Sequence, residues 1–179
     1  MRGMGRAIVL PFVLFVAAAA SGSVGTMACG GAQTQSQYDV LKIPDERTAV
    51  QWIAKAFHKE GFEVEGDREV KIGSGATLVA DVAAQNDVWG VVWLRPDEES
   101  DSKGKLPAPP PGVSDGALWV VSGSGADANQ RLLVLVAKNY SYDPDPRGKG
   151  VVRSIEEVEA RTVRDVTDFL VRAKAGEIQ

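Results

Sequence analysis

A chain of 179 residues with one histidine and one cysteine has few ways to build the common catalytic sets. His58 is the only imidazole, so it would have to be the base of any Ser-His-Asp or Cys-His arrangement, or join other soft ligands around zinc. The partners for either role are missing. His58 also falls between Phe57 and Lys59 late in a predicted helix, where a solvent-facing or helix-terminal place accounts for it. Two glycine-rich stretches, "GSG" from Gly73 and "GSGADANQ" from Gly123, lack the Walker lysine and the strand-to-helix context of a dinucleotide fold, so turn chemistry between strands explains both. "DPDPRG", Asp143 to Gly148, has two aspartates two apart and a glycine in the sixth place. However, it puts Arg147 where a calcium loop needs an oxygen, and Ser154 where it needs a bidentate glutamate. No catalytic residue, metal ligand or cofactor site is expected from these motifs.

Cys29 needs a different explanation. The chain opens with Arg2 and Arg6, continues as an apolar run from Ala7 to Ala20, and passes into small residues, the three-part layout of a secretory signal peptide. The run is short for a membrane span and Pro11 interrupts it. Cleavage after Ala18-Ala20 would release a soluble exported protein. "TMAC", Thr26 to Cys29, resembles instead the lipobox of bacterial lipoproteins, with Thr26 standing where that family usually has leucine. The resemblance implies a lipid on Cys29 and a mature chain that begins there. It also resolves the oddity of an unpaired cysteine in an exported protein.

The segment after Cys29 suits a tether. Residues 30–37, "GGAQTQSQ", are small and polar and should form a flexible spacer. Residues 1–28 hold two basic and no acidic residues, which leaves 18 basic against 24 acidic in the mature chain, a net charge of −6. Such a balance speaks against nucleic acid as a partner. The expected address is the bacterial cell envelope, periplasm or outer membrane, with the membrane reached through Cys29 and an envelope protein as a candidate partner.

Residues 38–179 have the size of one domain. Pro44-Asp45 starts a helix whose apolar face carries Val50, Ile53, Ala54 and Phe57, and Gly61 ends it. Alternation around Phe62–Val64 and Val70–Ile72 marks half-buried strands. "TLVADVAA" and "VWGVVWL" flank the turn signal Asn86-Asp87 and read as a hairpin of central strands. Residues 97–116, charged and then proline-rich, read as a long mobile loop. "ALWVVSGSGADANQRLLVLVAK" adds two strands around a polar loop. Ser154 and Glu157 have capping-box spacing at the head of a helix striped by Ile155, Val158, Thr162, Val166, Phe169 and Ala173. The expected fold is α+β: a mostly antiparallel twisted sheet of about five strands with two amphipathic helices on one face.

Residues 53–95 resemble the helix, strand and hairpin core of restriction-endonuclease-like proteins. The resemblance puts Asp81 where the first metal-binding acid of that family stands. "VVWLR" and "VLVAK" lack the carboxylate and lysine that complete the family's motif, so it implies at most a degenerate nuclease-like core. Two aromatic pairs, Trp89 with Trp93 and Tyr140 with Tyr142, could form a binding surface or lie in the core. The function expected from these readings is a non-catalytic, membrane-tethered envelope lipoprotein presenting a small domain for protein or ligand binding. An exported enzyme built around Asp81, or a soluble periplasmic binding module, is the alternative.

Overall fold

The computed structural model describes residues 41–144 and 153–178. In chain order they form α1 (Glu46–Lys59), β1 (Val64–Glu65), β2 (Arg68–Lys71), β3 (Thr77–Ala80), β4 (Val82–Ala84), β5 (Trp89–Leu94), α2 (Pro96–Asp101), β6 (Val120–Ser122), β7 (Arg131–Val136) and α3 (Ile155–Lys174). Short 3-10 turns occupy Val113–Asp115, Gly125–Asp127 and Ala137–Tyr140.

Local chemistry fixes the long helices. The Asp45 carboxylate accepts the Thr48 backbone N–H at 2.9 Å to cap α1, and Gly61 leaves the helix at φ +84°. At the head of α3 the Ser154 hydroxyl accepts the Glu157 N–H while the Glu157 carboxylate accepts the Ser154 N–H at 2.8 Å, the reciprocal box expected from the sequence. Asn86 takes φ +61° in the tight turn before β5, a conformation asparagine tolerates better than most residues.

The fold is α+β, with a five-stranded sheet in the order β1-β4-β5-β7-β6 and a separate hairpin, β2-β3. The sheet is mixed. β1–β4, β4–β5 and β6–β7 pair antiparallel, but β5 and β7 run parallel, in register from Trp89↔Arg131 to Leu94↔Val136. Parallel neighbours need a crossover of a dozen or more residues, and residues 95–130 supply it. That stretch also makes a third helix, α2, where only a loop was expected. Pro96 occupies the first turn, three acids follow it, and Arg95 and Glu98 close the start.

Alternation along β5 and β7 divides the core in two. Val91, Trp93, Leu133 and Leu135 face α1 and α3, where they meet Ile53, Phe57, Val166 and Phe169. Val92, Leu94, Leu132, Val134 and Val136 point the other way, onto Val70, Ile72 and Leu78 of the hairpin together with Trp119 and Val121. Fully burying one such aliphatic or aromatic side chain stabilises the fold by roughly 1.5–3 kcal/mol, which makes both layers structural. The sheet is therefore covered on both faces.

This second layer corrects one reading. "TLVADVAA" is not a single strand: Thr77–Ala80 pairs with β2, and Val82–Ala84 pairs with β1 and β5. The chain changes sheets at Asp81. Residues 97–116 also differ from an unanchored loop, since Leu106 and Val113 pack on the second core. No helix among the described residues is long and apolar enough to cross a membrane.

Candidate functional site

At the sheet switch, Asp81 accepts the Trp93 backbone N–H on Oδ2 at 2.7 Å, standing in for a ladder partner that the broken strand cannot provide. Burial, joined by the nearby charges of Glu46 and Glu98, pushes its carboxyl up to about 6 against the pull of that hydrogen bond. Arg95 manages the neighbouring acids. Its Nη1 lies 2.7 Å from Glu46 and its Nη2 2.7 Å from Glu98, with Asp97 at 3.8 Å. The guanidinium thus holds the place between carboxylates that a cation would take. Among the described residues no group of three His, Cys, Asp or Glu side chains could hold a metal ion.

Stability should depend on pH as a result. Because the folded-state value of Asp81 is raised above 3.8, its contribution is fully present in acid and is lost as pH rises through about 6. Asp81→Asn keeps an oxygen for the Trp93 N–H and carries no charge. We expect it to match the parent at pH 4 and to exceed it by about 1–2 kcal/mol at pH 8, the partial solvent access of the group holding the gain to that size. Thermal melts at both pH values check this; an unchanged difference between them would contradict it.

A cavity of about 590 Å³ lies on the other side of α2, within the range of roughly 300–1,000 Å³ typical of small-molecule sites. Leu94 and Val136, the last residues of the two parallel strands, form part of its wall with Trp119. Leu106 and the prolines at 107, 109 and 110 add an apolar surface, each proline ring fixing its own backbone φ. Polar groups sit among them: Glu99, Ser102, Lys103, Lys138 and Asn139. The Lys138 ammonium is 2.5 Å from Glu99, which ties the turn after β7 to α2. Trp119 is only 6% exposed, and its Nε1–H has no acceptor among the described residues.

The remaining candidates fall elsewhere. Trp93, 2% exposed, and Tyr140, 5% exposed, are core residues whose rings meet at 5.3 Å, so they offer no surface. The reason is register: β5 turns Trp93 toward the helices, and the turn after β7 carries Tyr140 beneath α3. Trp89 is half-buried edge-on to Phe169 at 6.1 Å. Tyr142, also half-buried, exchanges both backbone hydrogen bonds with Lys42. His58 is exposed at the end of α1, with Nδ1 3.2 Å from the Phe62 carbonyl oxygen. The two glycine stretches are turns between strands, as expected. Cys29 and Asp145–Gly148 lie outside the described residues, and Asp143 is buried.

The cavity escaped sequence reasoning because a proline run looks unanchored when its partners are distant in the chain. The available signals were Leu106 and Val113, isolated apolar residues in a polar stretch, and Trp119 at the head of the next strand. No family model matches the chain, and no curated protein or solved structure is significantly similar to it.

Proposed function

We propose that this chain is a non-catalytic lipoprotein of the bacterial cell envelope, held to the membrane through lipid on Cys29, whose α+β domain binds a small ligand. The cavity beside Trp119 carries the ligand half of this reading, since it joins apolar walls to a few convergent polar groups. The signal-like N-terminus, "TMAC" and the polar spacer carry the tether half. The acids around Asp81 support the non-catalytic part: Glu46 and Glu98 are already engaged by Arg95, where phosphodiester cleavage would need carboxylates free to converge on a cation.

The test is to express the full precursor in a bacterial host beside Cys29→Ala, then to fractionate the cells and weigh the mature proteins intact. The expected result is a membrane-bound chain that begins at Cys29 with added acyl mass, both features lost in the variant. An unacylated chain starting near Ser21 in the soluble fraction would overturn the tether.

A further inference from the structure

We propose that α2 is a lid on the cavity beside Trp119, latched by the Glu99–Lys138 ion pair; what the lid admits rests on the ligand-binding reading above. Leu94 and Trp119 both belong to the second core, yet none of the described residues from 95 to 118 between them is buried. Leu106 and Val113 lean on that core, and both lie beyond α2. A helix with no buried residue loses little apolar contact when it lifts, which places it at the low-stability end of the domain. Its fastenings are charged instead. Arg95 ties the start of α2 to Glu46 of α1 at 2.7 Å, and Glu99 reaches Lys138 on the turn after β7. Glu99 and Lys138 both line the cavity, so this second pair joins one wall to the other.

Space on both faces of α2 gives it room to move. Glu99, Ser102 and Lys103 line the cavity of about 590 Å³, while Glu98, Asp101 and Ser102 line a hollow of about 160 Å³ against Thr77 and Leu78. A swing toward β3 fills the hollow and widens the mouth of the cavity. The two ends of the helix differ in what they permit. At the start, Pro96 and the reciprocal Arg95–Glu98 contacts stiffen the chain, whereas just after the helix Gly104 takes φ +79°, a conformation glycine adopts without strain. The latch is also weak enough to open. The side chains of Lys138 and Glu99 are 55% and 32% exposed, and an ion pair so open to water biases an equilibrium only a few-fold. Lids held in this way open on a microsecond-to-millisecond scale.

The experiment measures amide hydrogen exchange by mass spectrometry on the full mature protein, beside stopped-flow binding of the neutral fluorescent probe N-phenyl-1-naphthylamine. In the parent, residues 97–105 should exchange faster than residues 89–94 of β5. Glu99→Gln should speed exchange across 97–105 by about two- to fivefold, the share of one exposed ion pair, and should raise the rates of probe entry and exit by the same factor. Because the probe is uncharged, the lost charge reaches it only through the lid. Glu99→Lys combined with Lys138→Glu rebuilds the pair with its charges exchanged and should return both readouts to the parent values, whereas Glu99→Lys alone should not. Ala108→Trp, an exposed position on the rim, should block the probe and so place it in this cavity.

Unchanged exchange over 97–105 in Glu99→Gln overturns the lid, whether or not the probe binds. Exchanged charges that leave the segment as fast as in Glu99→Gln overturn the latch. Faster exchange with unchanged probe rates overturns the lid's control of the cavity. If the probe binds nowhere while exchange follows the ion pair as predicted, the lid stands and the ligand-binding reading falls.

Discussion

Replacing Asp165 with alanine should destabilise the domain by about 3–5 kcal/mol, the cost of removing one partner from a buried ion pair. Asp165 is 6% exposed on the inner side of α3 and serves three groups at once, its Oδ1 meeting Arg164 at 3.3 Å. The Tyr140 hydroxyl donates to its Oδ2 at 2.9 Å, and the Arg161 Nε lies 3.5 Å from the same oxygen. Arg161, 8% exposed, also stacks over the Tyr140 ring at 5.2 Å and donates to the Asn139 carbonyl oxygen at 3.3 Å. Burial, reinforced by the Asp165 charge and hydrogen bond, drives the Tyr140 phenol far above its ordinary range, so it remains a donor at every working pH.

Alanine at this position leaves the buried Tyr140 hydroxyl without its acceptor and removes a carboxylate from beside the buried Arg161. The expected readout is a fall in melting temperature of roughly 10 °C for a domain of this size. Adding Tyr140→Phe should recover part of the loss, because the ring keeps its place and no hydroxyl is left without an acceptor. A single variant that melts with the parent, or a double variant no better than the single, would contradict this role for the network. The cavity is concerned as well, since the same contacts fix the turn that carries Lys138 and Asn139.

The second large effect is expected at Gly123, where alanine should cost about 3 kcal/mol by overpacking. A β-carbon there would stand 1.9 Å from the Asp127 carbonyl oxygen and 2.8 Å from its carbonyl carbon, both backbone atoms that cannot swing aside. The turn in question is held on several sides. Gly123 donates to the Gln130 carbonyl oxygen at 2.9 Å, Ser124 donates to the Lys71 carbonyl oxygen at 2.7 Å, and the Asp127 carboxylate accepts the Lys71 N–H at 2.9 Å. Moving the turn to admit a methyl group would break the last two, which fasten the β2-β3 hairpin to the β6 edge. Gly123→Ala should therefore melt earlier and be cut faster by protease within residues 68–80, whereas Gly73→Ala, with open space around its α-carbon, should behave as the parent. Equal protection in the two variants would show that the turn is not the fastener.

Much of this architecture was legible in the residues because local signals and the final fold agree. Asp45, Gly61, Asn86 and the Ser154–Glu157 pair each set a boundary by side-chain or backbone chemistry that needs no distant partner. The parallel pairing of β5 with β7 was not legible. Adjacent strands in sequence usually pair, and only the length of the segment between them hinted otherwise. The break at Asp81 was hidden as well, since "TLVADVAA" is apolar on both sides of it and the reason for the break, the Trp93 N–H, arrives twelve residues later. Asp81 was visible as a residue of interest, but Arg95, which occupies the space between its acidic neighbours, was not. The aromatic pairs were visible too, and burial settled Trp93 and Tyr140 as core.

Ligand binding in the cavity beside Trp119 is the central claim, and the most direct measurement of it is a ¹⁵N–¹H correlation spectrum of the full mature protein during titration with the neutral apolar probe N-phenyl-1-naphthylamine. The four tryptophans, Trp52, Trp89, Trp93 and Trp119, give four indole signals, and Trp119→Phe identifies one of them. The Trp119 signal should shift and saturate at one ligand per chain as the probe packs against its ring in the cavity wall, while the Trp93 signal, on the helix-facing layer, stays in place. A Trp119 signal that does not move at saturating probe, or movement confined to the other three, would contradict that claim.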